Sequence, residues 1–162
     1  MRTERFLAAV VVAVMAPLAA IGALAVDPAN TAVAKRAGPV RISTKKLPGL
    51  GTVLVNGKGR TLYMFVPDKH RRVTCVRTCA AIWPPVKLPS GAKPVASGLV
   101  KVSLLGSDPD PAGGRVVTYA RWPLYTYVAD RAPGQAKGQA LNLNGGFWYA
   151  LAPSGQVIRR KR

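Results

Sequence analysis

The sequence predicts a mostly β protein: a small barrel or sandwich made of two related halves, with one short helical turn near a cysteine pair. Three observations favour this fold class. Short runs of β-branched and aromatic residues alternate with turn-forming residues. The 162 residues include 16 glycines and 14 prolines, which disfavours long helices in the domain. One strand pattern occurs twice along the chain.

The N-terminal residues 1–25 are predicted to be an export signal. Two arginines precede an apolar run, and the small residues Ala23 and Ala25 provide a cleavage site. The apolar run is also long enough to cross a bilayer, so an uncleaved membrane tether through residues 7–26 is the alternative. Residues 26–47, rich in Ala, Pro, Thr and Lys, are predicted to be a flexible linker.

Residues 48–158 are predicted to form the β domain, and residues 159–162 a mobile basic tail. The domain is expected to start with a hairpin, because an Asn-Gly turn separates two β-branched runs. The predicted strands are 52–55, 61–66, 99–105, 116–120, 124–128 and, in a last hairpin with its turn at 153–155, 147–151 and 156–158.

An internal repeat predicts that the domain consists of two related halves, 48–88 and 113–158. The pattern Leu-Tyr-x-aromatic-Val-x-Asp occurs at residues 62–68 and again at 124–130. A tryptophan follows each copy at nearly the same spacing, Trp83 in the first half and Trp148 in the second. Two landmarks in the same order indicate a duplication.

Both faces of the repeated strand are apolar. Alternate residues of a strand point to opposite sides, so Tyr63 and Phe65 are expected on one face and Leu62, Met64 and Val66 on the other. The second copy repeats this pattern, with Tyr125 and Tyr127 on one face and Leu124 and Val128 on the other. Such strands are expected to be central and covered on both sides.

The formal net charge is +18, which predicts association with polyanions. Outside the cytoplasm, the expected partners are anionic cell-wall polymers or lipid head groups. Lysine and arginine do not alternate with stacking aromatics in any run, so a dedicated nucleic-acid site is not expected.

Cys75 and Cys79 are expected to form a disulfide, because paired cysteines in an exported chain usually bridge. Residues at i and i+4 of a regular helix are too far apart for this bond. The bridge therefore requires one cysteine, Cys75 in our interpretation, to lie outside a helical turn that Thr74 would cap. The short loop would direct Trp83 into the core.

Two chemical alternatives for the cysteines remain open. Nearby arginines would lower a thiol pKa, as a redox pair requires. A soft-metal site could instead hold copper, with the ligands His70, Cys75, Cys79 and Met64. Either alternative would make the protein an extracytoplasmic redox or copper- or haem-handling protein.

Catalytic signatures are otherwise absent from the sequence, so neither an enzyme nor a cofactor is predicted. No G-x-S-x-G or H-E-x-x-H motif occurs, and His70, in a basic loop, is the only histidine. Asp68 and Asp130 end matched strands. We expect their carboxylates to accept backbone N–H bonds at turns, although a shared cation site or a catalytic carboxylate pair is the alternative. The tryptophans are expected in the core rather than in a ligand groove.

Several motifs together resemble the bacterial secreted repeat of unknown function, a family also described as predicted lipoproteins with a Tyr-x-(Phe/Trp/Tyr)-x-x-Asp motif. The resemblance is carried by both copies of that motif and by segments 51–63, 75–85 and 145–149. It implies an exported cell-envelope protein with a duplicated domain, and it implies no particular activity. Many relatives carry a lipid-modified cysteine after the signal, whereas no cysteine precedes Cys75 here. Free secretion, an uncleaved anchor or charge-based attachment is therefore expected instead.

The leading functional hypothesis is a non-catalytic envelope protein that binds anionic surface material. It rests on the charge and on the missing catalytic motifs.

Overall fold

The computed structural model describes residues 38–69 and 72–161. The predicted export signal, most of the predicted linker and His70 lie outside these residues. Within them, no helix has both the length and the apolar character needed to cross a membrane.

The described chain is mostly β, as predicted. One short α-helix, α1 (Thr78–Ile82), follows Cys75, and two 3₁₀ helices cover Val66–Asp68 and Val102–Leu104. The strands are β1 (Arg41–Leu47), β2 (Gly51–Asn56), β3 (Tyr63–Phe65), β4 (Lys87–Leu88), β5 (Val95–Ala96), β6 (Leu105–Pro109), β7 (Arg115–Tyr119), β8 (Trp122–Pro123), β9 (Leu141–Leu143) and β10 (Gly146–Ala150).

The strands form separate small sheets and do not close into one barrel. One sheet has the order β2-β1-β5, a second the order β3-β10-β9, and a third the order β4-β7-β6 with β8 also paired to β7. The named pairs are antiparallel except β1 with β5, which is parallel. Of the two predicted forms, the barrel is therefore not adopted.

Part of the predicted linker is a strand. β1 pairs with β2 in a continuous antiparallel register from Ile42↔Asn56 to Leu47↔Gly51. Ile42 and Leu47 are both buried, but they lie five positions apart and pack into different core clusters on opposite faces. The linker prediction is wrong for residues 41–47, because two buried residues on opposite faces do not produce the alternation that marks a strand.

The first predicted hairpin is only partly formed. The turn is present, and the side-chain Oδ1 of Asn56 accepts hydrogen bonds from the backbone N–H groups of Lys58 and Arg60. After the turn, only Thr61 forms a bridge to β2. The following strand, β3, pairs instead with β10 of the second half, in the register Met64↔Tyr149. The repeated strand thus joins the two halves rather than closing a hairpin within one of them.

β3 lies between two hydrophobic clusters, as its two apolar faces predict. Tyr63 and Phe65 belong to the aromatic cluster, which also contains Trp83, Trp148 and Tyr125. Leu62 and Met64 belong to the aliphatic cluster on the other side, which also contains Leu54, Val117 and Leu124. All of the β3 side chains are buried, so this strand is central to the domain.

The second copy of the pattern is less regular than the first. Residues 124–128, predicted as a strand, form no continuous ladder: β8 ends at Pro123, and Tyr125 makes isolated bridges to Tyr63 and Pro85. Because the extended backbone does not continue, Val128 is 50% exposed instead of sharing a buried face with Leu124. The strand predicted at 99–105 is also wrong, since a 3₁₀ helix covers Val102–Leu104 and β6 begins at Leu105.

The basic tail contacts the domain as far as Arg160. The Gln139 side chain donates hydrogen bonds to the carbonyls of Ile158 and Arg160. The Arg160 guanidinium in turn donates to the carbonyl of Leu50. The predicted tail thus makes hydrogen bonds to the domain at Arg160, and the buried glutamine satisfies a carbonyl on each side of Arg159.

Gly138 provides a test of this packing. A Cβ atom at Gly138 would lie 2.8 Å from the Trp83 ring and 2.9 Å from Cζ of Tyr63. We expect Gly138→Ala to lower the free energy of unfolding by about 1–3 kcal/mol, the usual cost of overpacking. Gly57→Ala is the matched control, because its added Cβ meets an ordinary contact 3.6 Å from Arg41. Urea unfolding measures both variants, and equal stabilities would contradict the close packing.

Candidate functional site

The two repeats meet at their tyrosines. Tyr63 and Tyr125 form an antiparallel bridge, and each donates its backbone N–H to the other's carbonyl at 2.9 Å. Both side chains are completely buried. Residues that occupy the same position in the two sequence repeats therefore lie face to face, which gives this centre an approximate twofold symmetry.

Each tyrosine donates its hydroxyl to the aspartate of the other repeat. Tyr63 Oη donates to Asp130 Oδ2 at 2.6 Å, and Tyr125 Oη donates to Asp68 Oδ2 at 2.8 Å. Asp68 is 0% and Asp130 1% exposed. A hydrogen bond from a hydroxyl to a buried carboxylate is among the stronger bonds in proteins, so this exchange connects the halves.

The second oxygen of each carboxylate accepts hydrogen bonds from a following loop. Asp68 Oδ1 accepts the backbone N–H and the hydroxyl of Thr74, and Asp130 Oδ1 accepts the backbone N–H of Lys137. The carboxylates thus accept backbone N–H bonds, as expected from the sequence. These donors lie six and seven residues later, so the loops they close are larger than Asx turns.

The aromatic residues of the motifs form one stack across the same centre. Trp83 and Trp148 lie parallel, with ring centroids 3.9 Å apart. Phe65 of the first repeat stacks on Trp148 of the second at 4.1 Å, and Tyr127 of the second stacks on Trp83 of the first at 4.2 Å. The motif aromatics therefore exchange partners between repeats in the same way as the tyrosines and aspartates.

Burial changes the acidity of this cluster. It raises the pKa of Tyr63 far above the ordinary 10.0, and the hydrogen bond to Asp130 and its charge raise it further. Burial and the charge of Asp68 likewise raise the pKa of Tyr125. Burial also raises the pKa of Asp68, against the hydrogen bonds from Thr74 and Tyr125, which act to lower it. Both tyrosines therefore remain protonated donors throughout the ordinary pH range.

Cys75 and Cys79 form a disulfide with Cα atoms 5.2 Å apart. Cys75 precedes α1 and is buried, whereas Cys79 lies within the helix, so the geometry inferred from the spacing is confirmed. The helix cap is different from the expected one. Arg77 occupies the N-cap position, and Thr74 is instead bound to Asp68.

The ligands considered for copper are not all brought together. Met64 packs in the aliphatic cluster, on the opposite side of β3 from Cys75 in the aromatic cluster. His70 lies outside the described residues. Within those residues, no group of three or more His, Cys, Asp or Glu side chains is close enough to hold a metal ion.

The charged residues are divided between the interior and the surface. Four aspartates lie in the described ranges; Asp68, Asp110 and Asp130 are buried, and Asp108 is half-buried. Eighteen lysines and arginines lie in the same ranges, and all of them are exposed except Arg60, which is half-buried. One salt bridge connects these two groups in the described chain, between Lys87 and Asp110. The exposed charged side chains of the described residues are therefore all cationic.

Several contributing residues gave little signal in the sequence. Thr74 and Lys137 bind the aspartates through loops of different length, so their positions do not match in the two repeats. Gly138 donates its backbone N–H to Tyr63 Oη, and its lack of a side chain admits the Trp83 ring. A spacing from each aspartate to its loop donor that was the same in both repeats would have revealed these residues. The two repeats do not share such a spacing.

A family model described as a secreted repeat of unknown function matches residues 46–87 and 108–152, more than half of the chain. The two matched segments correspond to the two halves predicted from the internal repeat. No curated protein and no solved structure matches this chain.

The buried tyrosines predict a characteristic alkaline instability. The unfolded chain loses each tyrosine proton near pH 10.0, while the folded protein keeps the protons of Tyr63 and Tyr125. Stability conferred by each proton is complete below pH 10 and is lost as the pH rises further, by about 1.4 kcal/mol per pH unit. Urea unfolding at several alkaline pH values should show a shallower decline for Tyr63→Phe than for the wild type. Identical slopes would contradict the raised pKa of Tyr63.

The disulfide closes a short loop, and its contribution to stability is expected to be modest. Reduction should lower the free energy of unfolding by about 2 kcal/mol, the chain-entropy value for so short a loop. Urea unfolding with and without reductant measures the difference, with thiol titration to verify reduction. The double variant Cys75→Ser, Cys79→Ser is the control and should not respond to reductant. A wild type whose stability is unchanged after both thiols appear would refute the expectation.

Proposed function

The chain belongs to the family of secreted repeats of unknown function, and we propose that it is a non-catalytic envelope protein that binds anionic surface material. The family is described as secreted, so the chain acts outside the cytoplasm. The proposed ligands share one chemistry, phosphate or carboxylate groups repeated along a polymer or across a layer of lipid head groups. The protein would attach to such material through its cationic surface.

The observation that carries this proposal is the separation of the charges. Tyrosine hydroxyls bind the carboxylates of Asp68 and Asp130 inside the domain, and Asp110 pairs with Lys87. The other lysines and arginines of the described residues have no salt bridge to an aspartate. A positive potential of this kind extends about 8 Å into solution at physiological salt. It attracts polyanions before any contact forms and holds them through many weak ion pairs.

The distribution of the cations favours an extended ligand over a small one. They occur on β1, on the turn after β2, on the helix loop, on β7 and on the C-terminal tail, for example Lys45, Lys58, Arg77, Arg115 and Arg159. Cations spread over so many elements can engage a polymer or a charged layer at several points. A pocket for one small anion would instead concentrate them.

The core motifs support a scaffold role. The hydroxyls of Tyr63 and Tyr125 and the carboxylates they bind are completely or almost completely buried, and each already has a hydrogen-bond partner. Hydroxyls and carboxylates that are bound to each other in the core stabilise the fold. Ligand binding is then a property of the surface residues. The disulfide enters the proposal only as a structural bridge near α1.

Binding that depends on charge should weaken steeply with salt. We expect affinity for poly(glycerol phosphate), and for vesicles containing phosphatidylglycerol, to fall at least about tenfold between about 0.05 and 0.5 M salt. Co-sedimentation measures binding to the vesicles, and titration calorimetry measures binding to the polymer. Comparison of the two affinities distinguishes a wall polymer from lipid. Neutral dextran and phosphatidylcholine vesicles are the ligand controls.

Two variants complete this test. The double variant Lys45→Gln, Lys46→Gln removes two exposed charges and should weaken binding, whereas Cys75→Ser should leave binding unchanged as long as the protein remains folded. Binding that is insensitive to salt, or that is lost in folded Cys75→Ser, would refute the proposal and favour chemistry at the cysteines.

A further inference from the structure

One aromatic ring of the domain faces solvent. Phe147 is 42% exposed, whereas the other aromatic side chains of the described residues are buried or half-buried. It lies on β10, where Trp148 points into the aromatic cluster and Phe147 and Tyr149 point to the other side. The two rings stack with centroids 5.8 Å apart and an interplanar angle of 18°. The exposed Phe147 ring thus packs on the buried Tyr149 ring.

An arginine extends this ring pair. The Arg159 guanidinium carbon lies 5.4 Å from the centre of the Tyr149 ring, within the range of a cation–π interaction. The backbone on both sides of Arg159 is fixed, because Gln139 binds the carbonyls of Ile158 and Arg160. The charge is therefore held beside the rings, although it belongs to the C-terminal segment.

Arg159 also lines a groove. Its volume is about 450 Å³, and its lining includes Leu50, Thr52, Gln156, Arg159 and Arg160. Arg159 both lines this groove and lies over the Tyr149 ring, so its side chain connects the ring pair to the groove. We call this surface, from Phe147 through Tyr149 and Arg159 to the groove, the β10–tail strip.

We infer that the β10–tail strip binds one chain of an anionic polysaccharide. The inference rests on the proposed function and names its ligand class. The C–H face of a sugar ring is apolar and packs on an exposed aromatic ring, which Phe147 provides. Asn142 lies opposite Phe147 in the β9–β10 register, so its amide is placed beside the same ring. Arg159 and Arg160 supply charges for carboxylate or phosphate groups on neighbouring sugars.

The geometry favours a glycan over the other polyanions. A groove beside an aromatic ring can hold a single polymer chain, whereas a flat lipid layer cannot enter it. Single-stranded nucleic acid is bound by successive aromatic platforms, one for each stacked base. The strip instead offers one exposed ring and one amide on β10 and β9, and two arginines that line a groove. This order matches a linear polymer in which sugar faces and anionic groups alternate.

The experiment compares polygalacturonate, which carries a carboxylate on every sugar ring, with polyphosphate, which carries charge without sugars. We expect Phe147→Ala to weaken binding of polygalacturonate about tenfold, the loss expected for one aromatic contact, and to leave polyphosphate unchanged. Leu99→Ala is the matched control, because Leu99 is an apolar side chain that is 65% exposed and lies outside the strip. Titration calorimetry on the folded full domain gives each affinity, and thermal melts verify folding.

A second pair of variants tests the arginine. Arg159→Gln and Lys93→Gln each remove one exposed charge, and only Arg159 belongs to the strip. We expect Arg159→Gln to weaken polygalacturonate binding several-fold more than Lys93→Gln does. Equal losses, together with equal effects of Phe147→Ala and Leu99→Ala, would overturn the strip while leaving charge-based binding intact.

Further outcomes distinguish a failure of the glycan assignment from a failure of the proposed function. If Phe147→Ala weakens binding of oligo-dT or of phosphatidylglycerol vesicles more than it weakens binding of polygalacturonate, that result would overturn the glycan assignment. Failure of polygalacturonate and polyphosphate to bind at all would overturn the proposed function as well. A loss confined to polygalacturonate in Phe147→Ala, together with a larger loss for Arg159→Gln than for Lys93→Gln, supports the inference.

Discussion

The exchange of hydrogen bonds between Tyr63 and Asp130, and between Tyr125 and Asp68, is the constraint on which the rest of the domain depends. A carboxylate in a dry interior is stable only when its oxygens are satisfied. Each half of the domain carries one such carboxylate and receives the hydroxyl for it from the other half. Each half satisfies one oxygen of its own carboxylate and depends on the other half for the second, so the two are expected to fold as one unit.

The same exchange determines the electrostatics of the surface. Burying Asp68 and Asp130 removes half of the acidic groups of the described residues from contact with solvent. Asp110 is withdrawn in a different way, by Lys87 and by the backbone N–H of Ala112. The exposed lysines and arginines then have few neutralising neighbours. The cationic exterior is thus a consequence of how the core is built, in addition to being a property of the composition.

Sequence reasoning succeeded where the signal was local. The alternation of Leu62, Tyr63, Met64 and Phe65 revealed a strand buried on both faces, and the spacing of the cysteines placed one of them outside a helix. It failed where pairing is decided by distant residues. Nothing near Tyr63 specifies that its partner is Asp130, because that choice follows from how the repeats dock.

Other failures have equally specific physical causes. β1 escaped notice because its buried residues Ile42 and Leu47 face opposite sides. The contacts of the tail escaped notice because the residue that makes them, Gln139, is polar and lies twenty positions upstream of Arg159. A buried glutamine that satisfies backbone carbonyls has no distinctive sequence pattern.

The duplication also indicates where a specific surface can arise. The repeated tyrosines and aspartates that bind each other are buried, so their polar groups are not free to recognise a ligand. Specificity must come from positions at which the halves differ. If Trp148 is aligned with Trp83, the residues that correspond to Phe147 and Tyr149 are Ile82 and Pro84, and neither is aromatic. The exposed ring therefore belongs to the second half alone, and its arginine belongs to the tail that follows this half. Together they break the symmetry of the core and give the domain one distinct face.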